Sequence, residues 1–124
     1  MAIVVDTSFL VDFDAEDADA ERMLEKLVED GEALIIPTIV AAEFLTGMRD
    51  PEKALAGLVN AGDVQDFSPG DAVATALVAR RLLKRGVFPG WTDAMIAGVA
   101  KARGDLPVLT RNPRHFPESR TVTY

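Results

Sequence analysis

The chain has no cysteine, which excludes disulfides, thiolate zinc sites and cysteine nucleophiles. It has a single histidine, His115, too few for a poly-histidine metal centre. No apolar run approaches the roughly 20 residues that span a bilayer, and no basic segment followed by a cleavage site opens the chain. The expectation is a cytoplasmic protein with no membrane partner. There is no glycine-rich phosphate loop of the Walker type, and nothing near His115 resembles a nucleophile elbow. Repeats, low-complexity tracts and linkers are also missing, so the 124 residues are expected to form one domain, 1–124. That length buries about two-thirds of the unfolded surface without covalent help.

Charge is plentiful but unevenly placed. The net charge of −7 argues against a polyanionic partner when taken alone. Residues 1–32 carry 11 acids against Arg22 and Lys26, a net of −9. Residues 33–124 carry 9 acids against 11 bases, a net of +2, so one face can meet a polyanion that the other repels. The basic part includes Arg80, Arg81, Lys84 and Arg85, a block that usually forms a solvated helix face. Arg outnumbers Lys 9 to 4 and Asp outnumbers Glu 12 to 8, a bias that suits an acidic, salt-tolerant surface.

Short apolar runs alternate with amphipathic segments. Ala2 to Val5 reads as a buried strand followed by a helix-start signal at Asp6-Thr7-Ser8. Residues 16 to 30 carry Met23, Leu24, Leu27 and Val28 at helical spacing and stop at Gly31. Leu34 to Ile36 is a second strand bounded by Pro37, after which Thr38 caps a helix running to about Met48; another helix follows from Pro51 to Asn60. Val64 to Phe67 is a third strand. Ser68-Pro69 with Asp71 starts a helix that reaches about Arg85 and stops at Gly86. Thr92-Asp93 begins the last helix, which ends near Arg103; Val108 to Thr110 and Thr121 to Thr123 close the pattern as strands. Strands separated by helices predict an α/β fold, with a central parallel sheet of 4–5 strands and helices on both faces.

Three carboxylates interrupt apolar segments: Asp6 in AIVVDTSFLV, Glu43 in ALIIPTIVAAEFLTGM, and Asp93 in VFPGWTDAMIAGVA. A lone carboxylate in such surroundings costs several kcal/mol unless it is compensated, most simply by a cation. Each also has an ordinary explanation. Asp6 and Asp93 can cap helices, and Glu43 can pair with an arginine, although its helix offers no obvious solvated face. Trp91 and Met95, beside Asp93, read as core residues. Ligands gather beyond the carboxyl ends of parallel strands, where Asp6 and, after the fourth strand, Asn112 fall. Oxygen-only ligands suit Mg²⁺ or Mn²⁺, and a hard cation held by acids supports phosphodiester hydrolysis.

Four segments, IVVDTSFLVD, PTIVAAEFLTG, WTDAMIAGVA and VLTRNPRHF, resemble in order and spacing those of PIN-domain ribonucleases, and in particular the VapC-type toxins of toxin–antitoxin pairs. The resemblance covers essentially the whole chain. It implies a Rossmann-like sheet and a metal-dependent endoribonuclease that forms homodimers, acts on RNA and is blocked by a small antitoxin. Carried over residue by residue, it assigns Asp6, Glu43 and Asp93 to an Mg²⁺ or Mn²⁺ site, with Thr7 or Ser8 supporting them through a hydroxyl. The fourth segment departs from the family pattern. Where many members have an acid, this chain offers Asn112 and His115, following Thr110 at the strand end. Asn112 joins the catalytic set through its amide oxygen, and Arg111 and Arg114 are candidate phosphate contacts. Three alternatives remain at this level: an inactive PIN-like interaction module, a non-toxin PIN nuclease in RNA processing, and a phosphatase with Asp6 as nucleophile. The last lacks the usual second acid two residues later, where Ser8 stands.

Overall fold

A computed structural model describes all residues 1–124. Five strands form one sheet: β1 (Ala2–Val5), β2 (Ala33–Pro37), β3 (Asp63–Gln65), β4 (Val108–Leu109) and β5 (Thr121–Val122). Their order is β3-β2-β1-β4-β5, and every pairing is parallel. The six helices are α1 (Thr7–Asp14), α2 (Ala18–Glu29), α3 (Thr38–Thr46), α4 (Pro51–Ala61), α5 (Pro69–Lys84) and α6 (Trp91–Ala102). The expected α/β architecture is therefore present, with five strands.

The central strands are continuous apolar runs because both their faces are covered. Ile3, Val4 and Val5, Leu34 to Ile36, and Val108 with Leu109 are all buried. The chain steps outward from β1 to β2 to β3, then returns past β1 to β4. With right-handed crossovers, that reversal sends α5 and α6 to the face opposite the earlier helices. It also makes the carboxyl ends of β1 and β4 a switch point, the place in an open α/β sheet where a crevice forms.

Several boundaries differ from the sequence reading, each for a local reason. Thr38 does not cap α3; Pro37 occupies the cap position, and the Thr38 hydroxyl accepts the Phe67 N–H at 3.2 Å. That bond takes Phe67 out of the ladder, so β3 covers Asp63 to Gln65 rather than running to Phe67. The last helix starts at Trp91, one residue early, because Gly90 turns the chain with φ at 112°. The strand expected over Val108 to Thr110 covers Val108 and Leu109, and the Thr110 N–H still donates to the Val122 carbonyl of β5 at 3.0 Å.

Two contacts fix α5 against α6. Ser68 and Asp71 form a reciprocal capping box, and Asp71, 1% exposed, also takes the Arg103 guanidinium through Nη1 at 2.7 Å and Nη2 at 3.3 Å. Burial pushes the Asp71 carboxyl up, but Arg103 and the Ser68 N–H and hydroxyl outweigh it and hold it below its usual range. Arg103 also reaches the Gln65 side chain at 2.7 Å and the Val99 carbonyl at 2.9 Å, tying the end of α6 to β3. Further along, the helices approach so closely that a methyl group on Gly98 would lie 2.7 Å from the Thr75 nitrogen and 2.8 Å from its Cα.

Arg103→Met leaves Asp71 buried without its cation and is expected to cost about 3–5 kcal/mol in urea denaturation at pH 7. The folded value of Asp71 lies below its unfolded value of 3.8, so its contribution is complete above that pH and is lost as pH falls through the folded value. The acid limb of stability should consequently be shallower in the variant than in the wild type. Gly98→Ala would gain about 1 kcal/mol in an open helix. Here overpacking reverses the sign, with an expected loss of about 1–3 kcal/mol in the same assay.

Candidate functional site

Asp6 follows β1 at the switch point, and its backbone N–H donates to the Leu109 carbonyl at 2.9 Å. It occupies the N-cap position of α1, yet its carboxylate caps no backbone N–H. Oδ2 instead accepts the Thr110 hydroxyl at 2.7 Å and the Ser8 hydroxyl at 3.1 Å. Asp6 is 6% exposed and Thr110 fully buried, so this is a desolvated carboxylate held by two neutral donors. The ordinary capping role does not apply to it.

Glu43 reaches the same edge from α3. The absence of a solvated face, expected from its apolar helix, is not what the structure has. Val40, Ala41 and Phe44 form the buried stripe, while Glu43 is exposed alongside Ala42, Thr46 and Gly47. The outer stripe consists of small residues, which hides the amphipathic pattern from an apolarity count. Glu43 Oε1 accepts the Thr7 hydroxyl at 2.6 Å, so Thr7, the first residue of α1, links Glu43 to the chain beside Asp6.

Asp93 lies in the first turn of α6, half-buried, with its Oδ2 3.1 Å from His115 Nδ1. Its carboxyl is raised above the usual range. Burial is the largest cause and the Asp6 charge the next; His115 opposes them, and Glu43 adds a smaller push upward. The three expected acids thus share one electrostatic neighbourhood. They are not drawn into a ready-made cage, since no three acidic or histidine side chains are grouped closely enough to hold one ion in common. Each carboxylate leans instead on its own donor: Thr110 and Ser8, Thr7, or His115.

The segment after β4 supplies donors rather than a fourth acid. Asn112 is exposed; its backbone N–H donates to Thr110 Oγ1 at 2.9 Å, and its side chain makes no hydrogen bond. Thr110 is therefore the hinge of this segment, giving its proton to Asp6 while accepting from Asn112. Arg111 is engaged within the chain through both its backbone and its side chain. Its N–H meets Ser8 Oγ at 3.2 Å, and its Nη1 is engaged with Asp12 at 2.7 Å. Arg114 is exposed and makes no ion pair. Trp91, expected in the core, is 60% exposed.

Asp12 and Tyr124 were not singled out from the sequence. Asp12 is buried on α1 and accepts both Arg111 and the Tyr124 hydroxyl, the latter at 2.6 Å. The Tyr124 ring packs edge-on against Phe9 at 5.4 Å. Burial first, and the bond to Asp12 next, push the Tyr124 hydroxyl well above its ordinary range. A signal did exist: Asp12 falls three residues after Phe9 and four after Ser8, on the inward face of α1.

The crowding of the acids has a direct signature. Asp6→Asn should lower the Asp93 value toward that of an ordinary aspartate, and His115→Ala should raise it further. Carboxyl-detected NMR titration measures both, and an unmoved Asp93 in Asp6→Asn would show that the two carboxylates do not interact.

With this geometry in place, likenesses to known proteins acquire meaning. The PIN domain family model matches residues 3–119. A tRNA(fMet)-specific endonuclease VapC of Salmonella typhimurium is 31% identical over 102 residues, covering 77% of this chain and 76% of that one. Its namesake in Shigella flexneri is 34% identical over 89 residues, 67% of each chain. Among solved structures, VapBC2 from Rickettsia felis bound to a promoter DNA fragment matches with a TM-score of 0.84 at 20% identity, over 100% of this chain and 99% of that one. DNA-bound VapBC from Salmonella typhimurium matches at 0.80 with 26% identity, over 99% and 98%. The family match spans nearly the entire chain: the chain belongs to the PIN domain family.

Proposed function

We propose that this protein is a metal-dependent endoribonuclease, the toxin of a type II toxin–antitoxin pair, which hydrolyses phosphodiester bonds of single-stranded or looped RNA. The observation that carries the reading is Asp93: a half-buried carboxylate raised by burial and by the charges of Asp6 and Glu43. Acids that repel one another at a sheet edge are relieved by a cation. The donor set is all oxygen, with no thiolate available, and suits Mg²⁺ or Mn²⁺. Asp6, Glu43 and Asp93 would hold that ion. When bound, such an ion activates water and stabilises charge on the phosphoryl oxygens.

The chain's own residues account for the remainder. Thr110 and Ser8 hold the Asp6 carboxylate in a fixed orientation, and Thr7 does the same for Glu43. His115 restrains Asp93 and opposes its protonation. Arg114, free of ion pairs, is placed to meet a backbone phosphate, and Asn112 offers an uncommitted amide oxygen where a fourth acid would stand. Asn112 in that position supports one tightly held ion rather than two. It also motivates the second reading, an inert PIN-like interaction module, which need bind no Mn²⁺ at this edge.

A small antitoxin has a fitting surface as well. Leu10, Phe13, Phe44, Met48 and Leu58 line a cavity of about 500 Å³ rimmed by Asp14, Glu16 and Glu21. That combination suits an apolar segment flanked by basic residues. Structures of similar fold are named as a toxin–antitoxin complex from Klebsiella pneumoniae and a member of the VapBC family of toxin–antitoxin systems from Mycobacterium tuberculosis, which supports the same reading.

Asp6→Asn and Asp93→Asn are each expected to abolish Mn²⁺-dependent cleavage of a mixed single-stranded RNA, at least 100-fold, while circular dichroism keeps its native form. Wild-type cleavage rates in both variants would end the nuclease reading. Calorimetry should find one Mn²⁺ per chain in the wild type and none in Asp6→Asn; no binding in the wild type would favour the inert module.

A further inference from the structure

Trp91 is the only tryptophan in the chain, and it lies 60% exposed at the first position of α6. The helix behind it is anchored: Ala94, Ile96 and Ala97 are buried, and Asp93 is tied to His115. The indole therefore projects from a rigid element rather than from a loose loop. Phe88 supports it edge-on, with ring centroids 5.1 Å apart at 72°. At the Gly90 turn no residue other than its chain neighbours Pro89 and Trp91 comes within 4 Å of where a Cβ would stand. Two residues of helix separate the Trp91 and Asp93 Cα atoms by only about 5 Å, although their side chains diverge.

The charge pattern says what such a surface would hold. Several basic side chains that could attract RNA are already paired with acids of the chain. Arg111 holds Asp12, Arg103 holds Asp71, and Arg81 and Arg85 share Glu118. A protein of net charge −7 so arranged gains little affinity from phosphates. Stacking a base on an aromatic face needs no net charge and tolerates any sequence.

We propose that Trp91, backed by Phe88, is a stacking platform for an unpaired base of the RNA, flanking the phosphate that sits at Asp93. The platform narrows the substrate to RNA whose bases are unstacked at the cut, and it rests on the nuclease reading above. Because Trp91 turns away from the reacting centre, it contributes binding shared by ground and transition states. Its loss should raise KM and leave kcat nearly unchanged.

The lone tryptophan reports on itself. The full-length protein in EDTA is titrated with a single-stranded adenosine 12-mer, following tryptophan emission together with the anisotropy of an end-labelled copy. The expected result is quenching that saturates with the anisotropy, and that is lost with an oligomer abasic throughout. Trp91→Ala should weaken binding about 5- to 150-fold, with Trp91→Phe intermediate. In Mn²⁺ the Ala variant should show the same factor in KM. Unquenched emission while RNA binds, or an unchanged KM in Trp91→Ala with cleavage intact, overturns the platform and spares the nuclease reading. Emission that shifts with protein concentration and not with RNA overturns it in favour of contact with a second copy. RNA neither bound nor cleaved by the wild type removes the nuclease reading itself.

Discussion

A buried carboxylate at the end of the central strand sets the terms for this structure. Asp6 sits where β1 stops, between β2 on one side and β4 on the other, and almost no water reaches it. An anion in that position persists only if the surrounding chain brings it donors. They come from both directions: Ser8 from the turn into α1, and Thr110 from 104 residues away at the end of β4. The parallel pairing of β1 with β4, which puts Val5 opposite Leu109, is what makes the second donor available. Fold topology and site chemistry are thus the same constraint. A sheet that placed β4 elsewhere would leave Asp6 unsatisfied, and a chain without Thr110 would leave the switch point without its clasp.

Contrast between two acids shows how the protein separates structure from function. Asp71 is more deeply buried than Asp93, yet its carboxyl is held low, because Arg103 and Ser68 supply charge and hydrogen bonds at full strength. Asp93 has one imidazole partner and two like charges nearby, and its carboxyl is pushed high. The first arrangement is closed and stabilises the junction of α5, α6 and β3. The second is left electrostatically open, and an open carboxylate on a rigid helix is the condition a site needs in order to take up something else. Asp12 belongs with Asp71: its charge is met in full by Arg111 and Tyr124.

The legible part of this chain was what short-range pattern controls. Apolar runs gave the strands, and the Ser68-Pro69-Asp71 signal became a complete capping box. Isolated acids pointed to the three carboxylates that share an electrostatic neighbourhood. The illegible part was pairwise and long-range. Nothing local marks Arg103 as the partner of Asp71, 32 residues away, or Tyr124 as the partner of Asp12, 112 residues away. Glu43 and Trp91 misled for a related reason. Apolar composition suggested burial for both, but burial depends on which stripe of the helix meets the sheet. A stripe of Ala42, Thr46 and Gly47 looks no more polar than a core face.

Arginine pairing also explains how one small domain combines strong acidity with a site meant for a polyanion. Were its guanidinium groups free, they would attract RNA broadly and in a salt-sensitive way. The four tied to Asp12, Asp71 and Glu118 hold the scaffold instead, and the surface keeps its net negative charge. Attraction is left to the basic side chains outside these pairs, Arg114 among them, and to exposed aromatic faces. Arg114, beside His115, and the Trp91 face lie in or next to the two segments that Asp93 and His115 join. Discrimination then follows from exclusion. On the stacking proposal, a duplex, which offers phosphates without accessible base faces, would find less to hold than an unpaired strand that presents a phosphate and a base together.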